Sequence, residues 1–244
     1  MNAGLTTATS GRVLRQVRTD RRTIALILVV PCVLLGLLAW IYDGTRVFDT
    51  IGPALLGVFP MIVMFIVTSV ATLRERQSGT LERLLTTPMG KGDIMMGYAV
   101  AFGALSTVQA LIATGFAVWV CGLDVAGPLW LLVVVAVLDA VLGTALGLLA
   151  SGFARTEFQA VQFMPAFLLP QFLLCGLLVP RDELPTVLEW VSNVLPLSYA
   201  VDAMKVIAAE TDPVTTVLGD LGVVAAFIAG ALALASLTLS RRSA

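Results

Sequence analysis

Arg74-Glu75-Arg76-Gln77-Ser78-Gly79-Thr80-Leu81-Glu82-Arg83-Leu84-Leu85-Thr86-Thr87-Pro88 is a charged, helix-forming island between two long apolar runs. A chain that only had to lie in lipid could cross from one span to the next on a short polar turn. This one places a basic, amphipathic segment there. Gly79 is placed to break the helix before it, and Thr80 to cap a new one. Glu82 falls in the first turn, where the positive end of the helix dipole favours a carboxylate. Leu81, Leu84 and Leu85 recur at i, i+3 and i+4 as one apolar stripe. Pro88 stops the helix, Gly90 and Gly92 loosen the exit, and Asp93 is positioned to cap the next span. A solvated loop accounts for the charge. The capped apolar stripe needs a surface to bury against, either the protein's own helix ends or a partner.

The sequence around the island identifies the solvent. Of 244 residues, 58% are hydrophobic and 13% charged, and the mean hydropathy is +0.96, whereas soluble domains carry about 25% charged residues. The fold class expected is an all-α polytopic membrane protein. A hydrocarbon core of ~30 Å needs about 20 mostly apolar residues per helix, and six stretches reach that length: residues 24–42, 51–73, 98–121, 129–153, 161–179 and 221–239. The apolar part of the first is longer than a signal peptide's, and no small-x-small cleavage site follows it. Histidine is absent, which removes the commonest metal ligand and general base, and no residues have metal-ligand spacing. Cys32, Cys121 and Cys175 read as small apolar fillers, with a Cys121–Cys175 disulfide as the alternative.

Lys and Arg set the orientation. Arg12, Arg15, Arg18, Arg21 and Arg22 precede the first span. Arg74, Arg76, Arg83 and Lys91 follow the second, Arg155 the fourth, and Arg241 and Arg242 the last. Only Arg46, Arg181 and Lys205 fall on the other side, whose loops carry Asp43, Asp49, Asp124, Asp182, Glu183, Glu189, Glu210 and Asp212. Both termini are expected in the cytoplasm, in a multi-pass protein of the cell membrane. The chain reads as one transmembrane domain over 1–244, without internal repeats or low-complexity tracts.

Three segments outside the spans carry pattern. Residues 10–23 read as an interfacial helix, with Val13, Leu14 and Val17 opposite Arg12, Arg15, Arg18 and Arg22; such a helix binds anionic headgroups and could also touch a cytoplasmic partner. Residues 74–97 form the loop described above. Residues 180–220 are long for a plain connection. Pro185 suits a first helical turn, and Leu184, Leu188 and Val191 follow at helical spacing with Trp190 as an interface anchor. Ser198 can cap a second helix running from Tyr199 to about Glu210, ended by Asp212-Pro213. The pair is either a hairpin dipping into the outer leaflet or two helices lying flat.

The run Glu75-Arg76-x-x-Gly79-Thr80-Leu81-Glu82-x-Leu84-Leu85-x-Thr87-Pro88 resembles the loop between the second and third spans of type-2 ATP-binding-cassette exporter permeases, such as the daunorubicin-resistance-type drug exporters and related lipid and polysaccharide exporters. A second stretch, Gly176-x-x-x-Pro180-x-x-x-Leu184-Pro185 continuing to Leu195-Pro196-Leu197-Ser198-Tyr199-Ala200, resembles the family's segment before the last span. The resemblance covers nearly the whole chain. The family often has Thr where Ser198 stands and Arg near Lys205, which keeps the charge but not the planar fork. The resemblance implies six spans, an N-terminal interfacial helix, a re-entrant hairpin before the last span, and export rather than import. It implies a second permease protomer, identical or paralogous. It also implies a separate ATPase, in two copies, that binds the ATP and Mg. This chain has no G-x-x-x-x-G-K-[ST] phosphate loop; Gly90-Lys91 is followed by Gly92. It is expected to be a transport subunit rather than an enzyme, with membrane lipids and no nucleic acid among its partners.

On this reading Glu75, Arg76, Gly79, Thr80, Leu81, Glu82, Arg83, Leu84, Leu85 and Pro88 couple to the ATPase. The resemblance places the pathway at the protomer interface, with Phe59, Met61, Met64, Phe65 and Thr68 on the second span and Phe163, Met164, Phe167, Gln171 and Phe172 on the fifth as lining candidates. Pro60, Pro165 and Pro170 are expected to kink their spans. Asp139 is a carboxylate deep in a span, which costs about 2.5–3.5 kcal/mol on insertion scales; it is expected to reach Thr107, Gln109 or Thr144 or to carry a proton, with a structural, cargo or proton role. A proton-driven secondary transporter and a membrane scaffold are the rival functions. The cargo's identity is not legible.

Overall fold

The computed structural model describes residues 3–80 and 90–238, and among these the regular structure is helical. The helices are α1 (Ala3–Thr19), α2 (Arg21–Ile41), α3 (Val47–Gln77), α4 (Lys91–Trp119), α5 (Leu129–Ser151), α6 (Glu157–Leu174), α7 (Thr186–Ser192), α8 (Pro196–Ala209) and α9 (Val214–Thr238), with a 3-10 turn at Arg181–Glu183. Among the described residues five helices, α2, α3, α4, α5 and α9, are long and apolar enough to cross a membrane. The expected span at 161–179 is matched only in part. Gln159, Gln162 and Gln171 make α6 less apolar than the other five, and it ends at Leu174 because Gly176 adopts left-handed backbone at φ 84°.

The core is a parallel pair, α3 and α5, in fixed register. Gly57, Met61 and Phe65 recur every fourth residue on α3; Asp139, Gly143 and Gly147 do so on α5. A Cβ at Gly143 would stand 2.2 Å from the Met61 carbonyl oxygen, and one at Gly147 would stand 2.6 Å from that of Phe65. Backbone therefore meets backbone, the close approach that small-xxx-small faces permit between membrane helices. Around this pair α4 and α9 pack on α5 and α2 packs on α3. Leu26, Val29, Val33 and Leu37 keep the outer face of α2 exposed.

Several boundaries differ from the sequence expectation, each for a local reason. The interfacial helix stops at Thr19 rather than residue 23, because the Asp20 side chain accepts hydrogen bonds from the backbone of Arg22 and Thr23 and caps α2. Arg22 thus belongs to the first turn of α2. Asp93 serves from the third helical position, accepting a 3.1 Å bond from Gly90 N in a capping box. α8 begins at Pro196, its first residue, so Ser198 caps nothing; its hydroxyl lies buried 3.1 Å from that of Ser192. α9 starts at Val214, seven residues before the expected span. All three cysteines are free, so the Cys121–Cys175 disulfide is not formed, and Cys32 and Cys121 are only partly buried.

Candidate functional site

The last turn of α3 stands just before residues 81–89 in the chain, and its four side chains each leave in a different direction. Glu75 is buried and accepts from Arg12 Nη1 at 3.1 Å and Nη2 at 2.9 Å, as well as from the Tyr98 hydroxyl. This ties α3 to α1 and α4. Arg74 donates through Nε and Nη2 to Glu157 of α6 at 2.7 and 2.9 Å. Gln77 Nε2 donates to the carbonyl of Arg155 in the turn after α5 at 2.8 Å. Arg76 Nη2 reaches the Thr238 hydroxyl of α9 at 3.4 Å. One turn of helix therefore contacts α1, α4, α6, α9 and the α5–α6 turn.

α1 is seated on this node by packing as well as charge. Val13 and Val17 are buried with Ile94, Met95, Tyr98 and Phe102. Thr9 lies so near Gly97 that a Cβ there would come within 2.6 Å of it, and Ser10 Oγ is 3.0 Å from the Gly97 carbonyl. Arg12 therefore differs from Arg15, Arg18 and Arg22. The latter three are exposed, whereas Arg12 is partly buried and points inward.

α3 ends as its sequence indicates. Ser78 N donates to Arg74 O at 2.9 Å, Gly79 N to Arg76 O at 3.4 Å, and Gly79 takes φ 72°, the left-handed cap that glycine fills without strain. The Thr80 hydroxyl lies 2.9 Å from that of Ser78. Leu81, Glu82, Arg83, Leu84, Leu85 and Pro88 lie outside the described residues.

The Arg74–Glu157 pair is the weak strand of the node. Its side chains are 57% and 44% exposed, and such pairs contribute about 0.2–1 kcal/mol. The hydrogen bonds from Arg74 hold the Glu157 carboxyl below its usual range. Its contribution is therefore complete above the ordinary carboxylate pKa and is lost as pH falls through the depressed value. Glu157→Gln is expected to lower stability by no more than about 1 kcal/mol near neutral pH, and to make no difference once Glu157 is protonated in the wild type. Thermal unfolding of both proteins along a descending pH series from about pH 7 checks this, the difference between them closing as Glu157 takes up its proton.

The expected pathway residues separate into two groups. Met61, Met64, Phe65 and Thr68 are fully buried, because the α3 face that carries Met61 and Phe65 is the one locked to α5. Phe59, Phe163, Met164 and Phe172 are partly accessible; Phe167 is exposed. Phe167 joins the groups, its ring 6.5 Å from Phe65 and 6.1 Å from Phe163. Gln171 is buried and donates to the Phe167 carbonyl at 3.0 Å. Asp139 does not meet its expected partners. Thr144 pairs with Ser106 at 2.9 Å, Thr107 bonds its own helix at Gly103, and Gln109 has no hydrogen-bond partner among the described residues. Asp139 instead faces α3, where Gly57 leaves room: a Cβ at Gly57 would be 2.8 Å from Asp139 Oδ2 and 3.6 Å from Met204 Cε. Neither carboxylate oxygen has a partner among the described residues.

At the opposite, acidic end a second network locks α6, α7 and α8 together. Arg181 binds Asp202 and Asn193 and stacks over the Tyr199 ring at 5.4 Å. Lys205 donates to the Gly176 carbonyl, and Ser192 Oγ to that of Leu174 at 2.8 Å. Arg181, Asp202, Tyr98 and Glu157 were not legible as site residues. The available signal was Asp202 and Lys205 at i, i+3 on one face of α8, opposite a lone arginine in an acidic loop.

A family model described as "ABC-2 type transporter" matches residues 5–208 of this chain. Among curated relatives, the "Probable multidrug ABC transporter permease YbhR" of Escherichia coli (strain K12) is 31% identical over 63% of this chain and 42% of its own length. The "Linearmycin resistance permease protein LnrN" of Bacillus subtilis (strain 168) is 28% identical over 82% of this chain and 52% of its own. "ABC transporter G family member 20" of Dictyostelium discoideum is 26% identical over 66% of this chain and 22% of its own. The matches thus span about half the length of these relatives or less.

Proposed function

This chain belongs to the ABC-2 type transporter family, and from that premise we propose that it is the transmembrane subunit of an ATP-driven exporter for a hydrophobic or amphiphilic cargo, a drug or a lipid. The observation that carries the reading is the family match across residues 5–208, which takes in residues 81–89 and the last turn of α3 before them. ATP and Mg2+ belong to a separate ATPase, present in two copies, and a second permease protomer completes the pathway. The protein lies in the cytoplasmic membrane with both termini inside, so the basic end of the bundle is cytoplasmic and the acidic end external. α6 serves as the remaining span, and the 3-10 turn, α7 and α8 form the external hairpin.

In this mechanism the ATPase grips residues 81–88 through the leucine stripe, with Glu82 and Arg83 fixing the register. Closure of the two ATPase subunits moves the end of α3. Because Glu75, Arg74, Arg76 and Gln77 hold α1, α4, α6 and α9, that movement reaches the bundle as a whole. A motor acts only through contacts that differ between two states, and the exposed, weak Arg74–Glu157 pair is the contact in the node that exchanges most easily. The pathway at the protomer interface draws on the accessible Phe59, Phe163, Met164, Phe167 and Phe172, while Met61, Met64, Phe65 and Thr68 hold α3 to α5.

The test is co-purification with the ATPase and chain-dependent ATP hydrolysis. Leu84→Asp is expected to reduce both at least tenfold, because a carboxylate replaces an apolar anchor in the docked stripe. Unchanged association and hydrolysis would remove the coupling role. One observation favours a proton-coupled reading: Asp139, buried and without a partner among the described residues. Cargo transport by Asp139→Asn that matches wild type across pH rules that reading out.

A further inference from the structure

Between α1, α2, α3 and α4, at the basic end, lies a cleft of about 190 Å3. Val13, Val17, Val67 and Phe102 line its buried floor, and Gln16, Asp20, Leu26 and Arg74 stand at its mouth. Its polarity is sorted along the helix axes. Arg74 is eight residues, about 12 Å, from Ile66 along α3. Gln16, Asp20 and Thr23 lie toward the Arg74 end, and Leu26, Ile66 and Phe102 lie further along the helix axes. Beyond Leu26 the exposed Val29 and Val33 continue an apolar track along α2.

The lining offers one exposed guanidinium, Arg74, and one part-exposed carboxylate, Asp20. Asp20 lies close enough to Arg74 to feel its charge, and the Thr23 hydroxyl and backbone hold its carboxyl below the usual range. It accepts three bonds from its own cap, while a carboxylate has about four lone-pair sites. Arg74 spends Nε and Nη2 on Glu157, leaving Nη1. The buried acid at the floor, Glu75, is already matched by Arg12 and Tyr98. A volume near 190 Å3 is below the ~300–1,000 Å3 of pockets that enclose a drug-sized molecule. It suits a headgroup whose chains remain outside.

We propose that this cleft is a lipid site for one phospholipid of the phosphatidylethanolamine type, with its ammonium at Asp20 and Gln16, its phosphate at Arg74 Nη1 and an acyl chain along Leu26, Val29 and Val33. Charge complementarity selects this occupant. An anionic lipid leaves Asp20 opposed by like charge, and a choline headgroup has no N–H to donate. The site rests on the proposed orientation, which puts it in the cytoplasmic leaflet, and not on the transport role.

Native mass spectrometry tests it. The chain is purified from membranes with any associated subunits retained, then equilibrated in mixed micelles of equimolar phosphatidylethanolamine, phosphatidylcholine and phosphatidylglycerol. The wild type is expected to retain one phosphatidylethanolamine at least threefold over either competitor. Asp20→Asn, which keeps a good helix cap, is expected to lose that preference, and Gln16→Ala, an exposed change, to weaken it. A wild type without the preference, a preference for phosphatidylglycerol, or full retention by Asp20→Asn overturns the proposal. The experiment uses neither ATP nor transport, so failure of the exporter reading leaves its outcome unaffected.

Discussion

Replacing Gly143 by valine is expected to destroy the bundle, with a loss of more than about 3 kcal/mol, beyond the usual range for overpacking. The added Cβ alone would sit 2.2 Å from the Met61 carbonyl oxygen, and the obstacle is backbone, which cannot rotate away. α3 and α5 would have to separate along the register that also seats Asp139 at Gly57 and Gly147 at Phe65. A control sets the sign. Gly219 of α9 has no atom within 4 Å of its Cβ position, so Gly219→Ala exchanges a poor helix former for a good one at no steric cost and is expected to be neutral or stabilising by up to about 1 kcal/mol. Amounts of folded protein after detergent extraction, with thermal unfolding of whatever survives, separate the two. Equal behaviour of Gly143→Val and Gly219→Ala would mean that α3 and α5 are not in backbone contact.

The second large effect is expected at Glu75. Removing one partner of a buried ion pair costs about 3–5 kcal/mol because the other charge is left unpaired. One third of the Arg12 side chain is exposed, at 33%, so water relieves part of the cost, and about 3 kcal/mol is expected for Glu75→Ala. Arg12→Ala is expected to cost more than Glu75→Ala, because it strands a carboxylate only 6% exposed, with the Tyr98 hydroxyl as its remaining donor. The double variant should lose less than the two singles together, with an interaction energy of about 2 kcal/mol or more. Additive losses would show that the two residues do not act as a pair.

Both predictions rest on features that differ in how legible they were. Span existence follows from apolar runs, and the break at Gly79 from glycine chemistry alone. The α3–α5 register was also within reach. Asp139, Gly143 and Gly147 are spaced i, i+4, i+8, so the acid shares the face of the two glycines and must turn toward whichever helix approaches them. Thr144, one residue beyond Gly143, points to α4 instead and finds Ser106. The identity of the approaching helix was not legible, because Gly57, Met61 and Phe65 look like any apolar stripe until a partner is known. For the same reason Met61 and Phe65 read as pathway residues. The node was hidden differently. Glu75, Arg76 and Gly79 belong to one recognisable run, but Glu75 turns back into the protein to Arg12, a contact 63 residues away. No local pattern distinguishes a carboxylate that faces a partner from one that holds its own chain. Asp20 shows the converse. Its capping ability is a local property, yet the Arg-rich amphipathic pattern runs through it and extends the expected helix past the break.

In the proposed mechanism the last turn of α3 transmits movement of residues 81–89 to the bundle. The most direct measurement is ATP hydrolysis by the reconstituted complex of this chain with the ATPase proposed above, comparing wild type with Glu75→Gln at a temperature where both are folded and the ATPase is bound in equal amount. Glutamine keeps the size of the side chain but removes the charge that holds Arg12. The ATPase is expected to remain bound while the stimulation that depends on this chain falls at least tenfold. Equal binding with stimulation undiminished would contradict that mechanism, and would leave the node as a structural clasp.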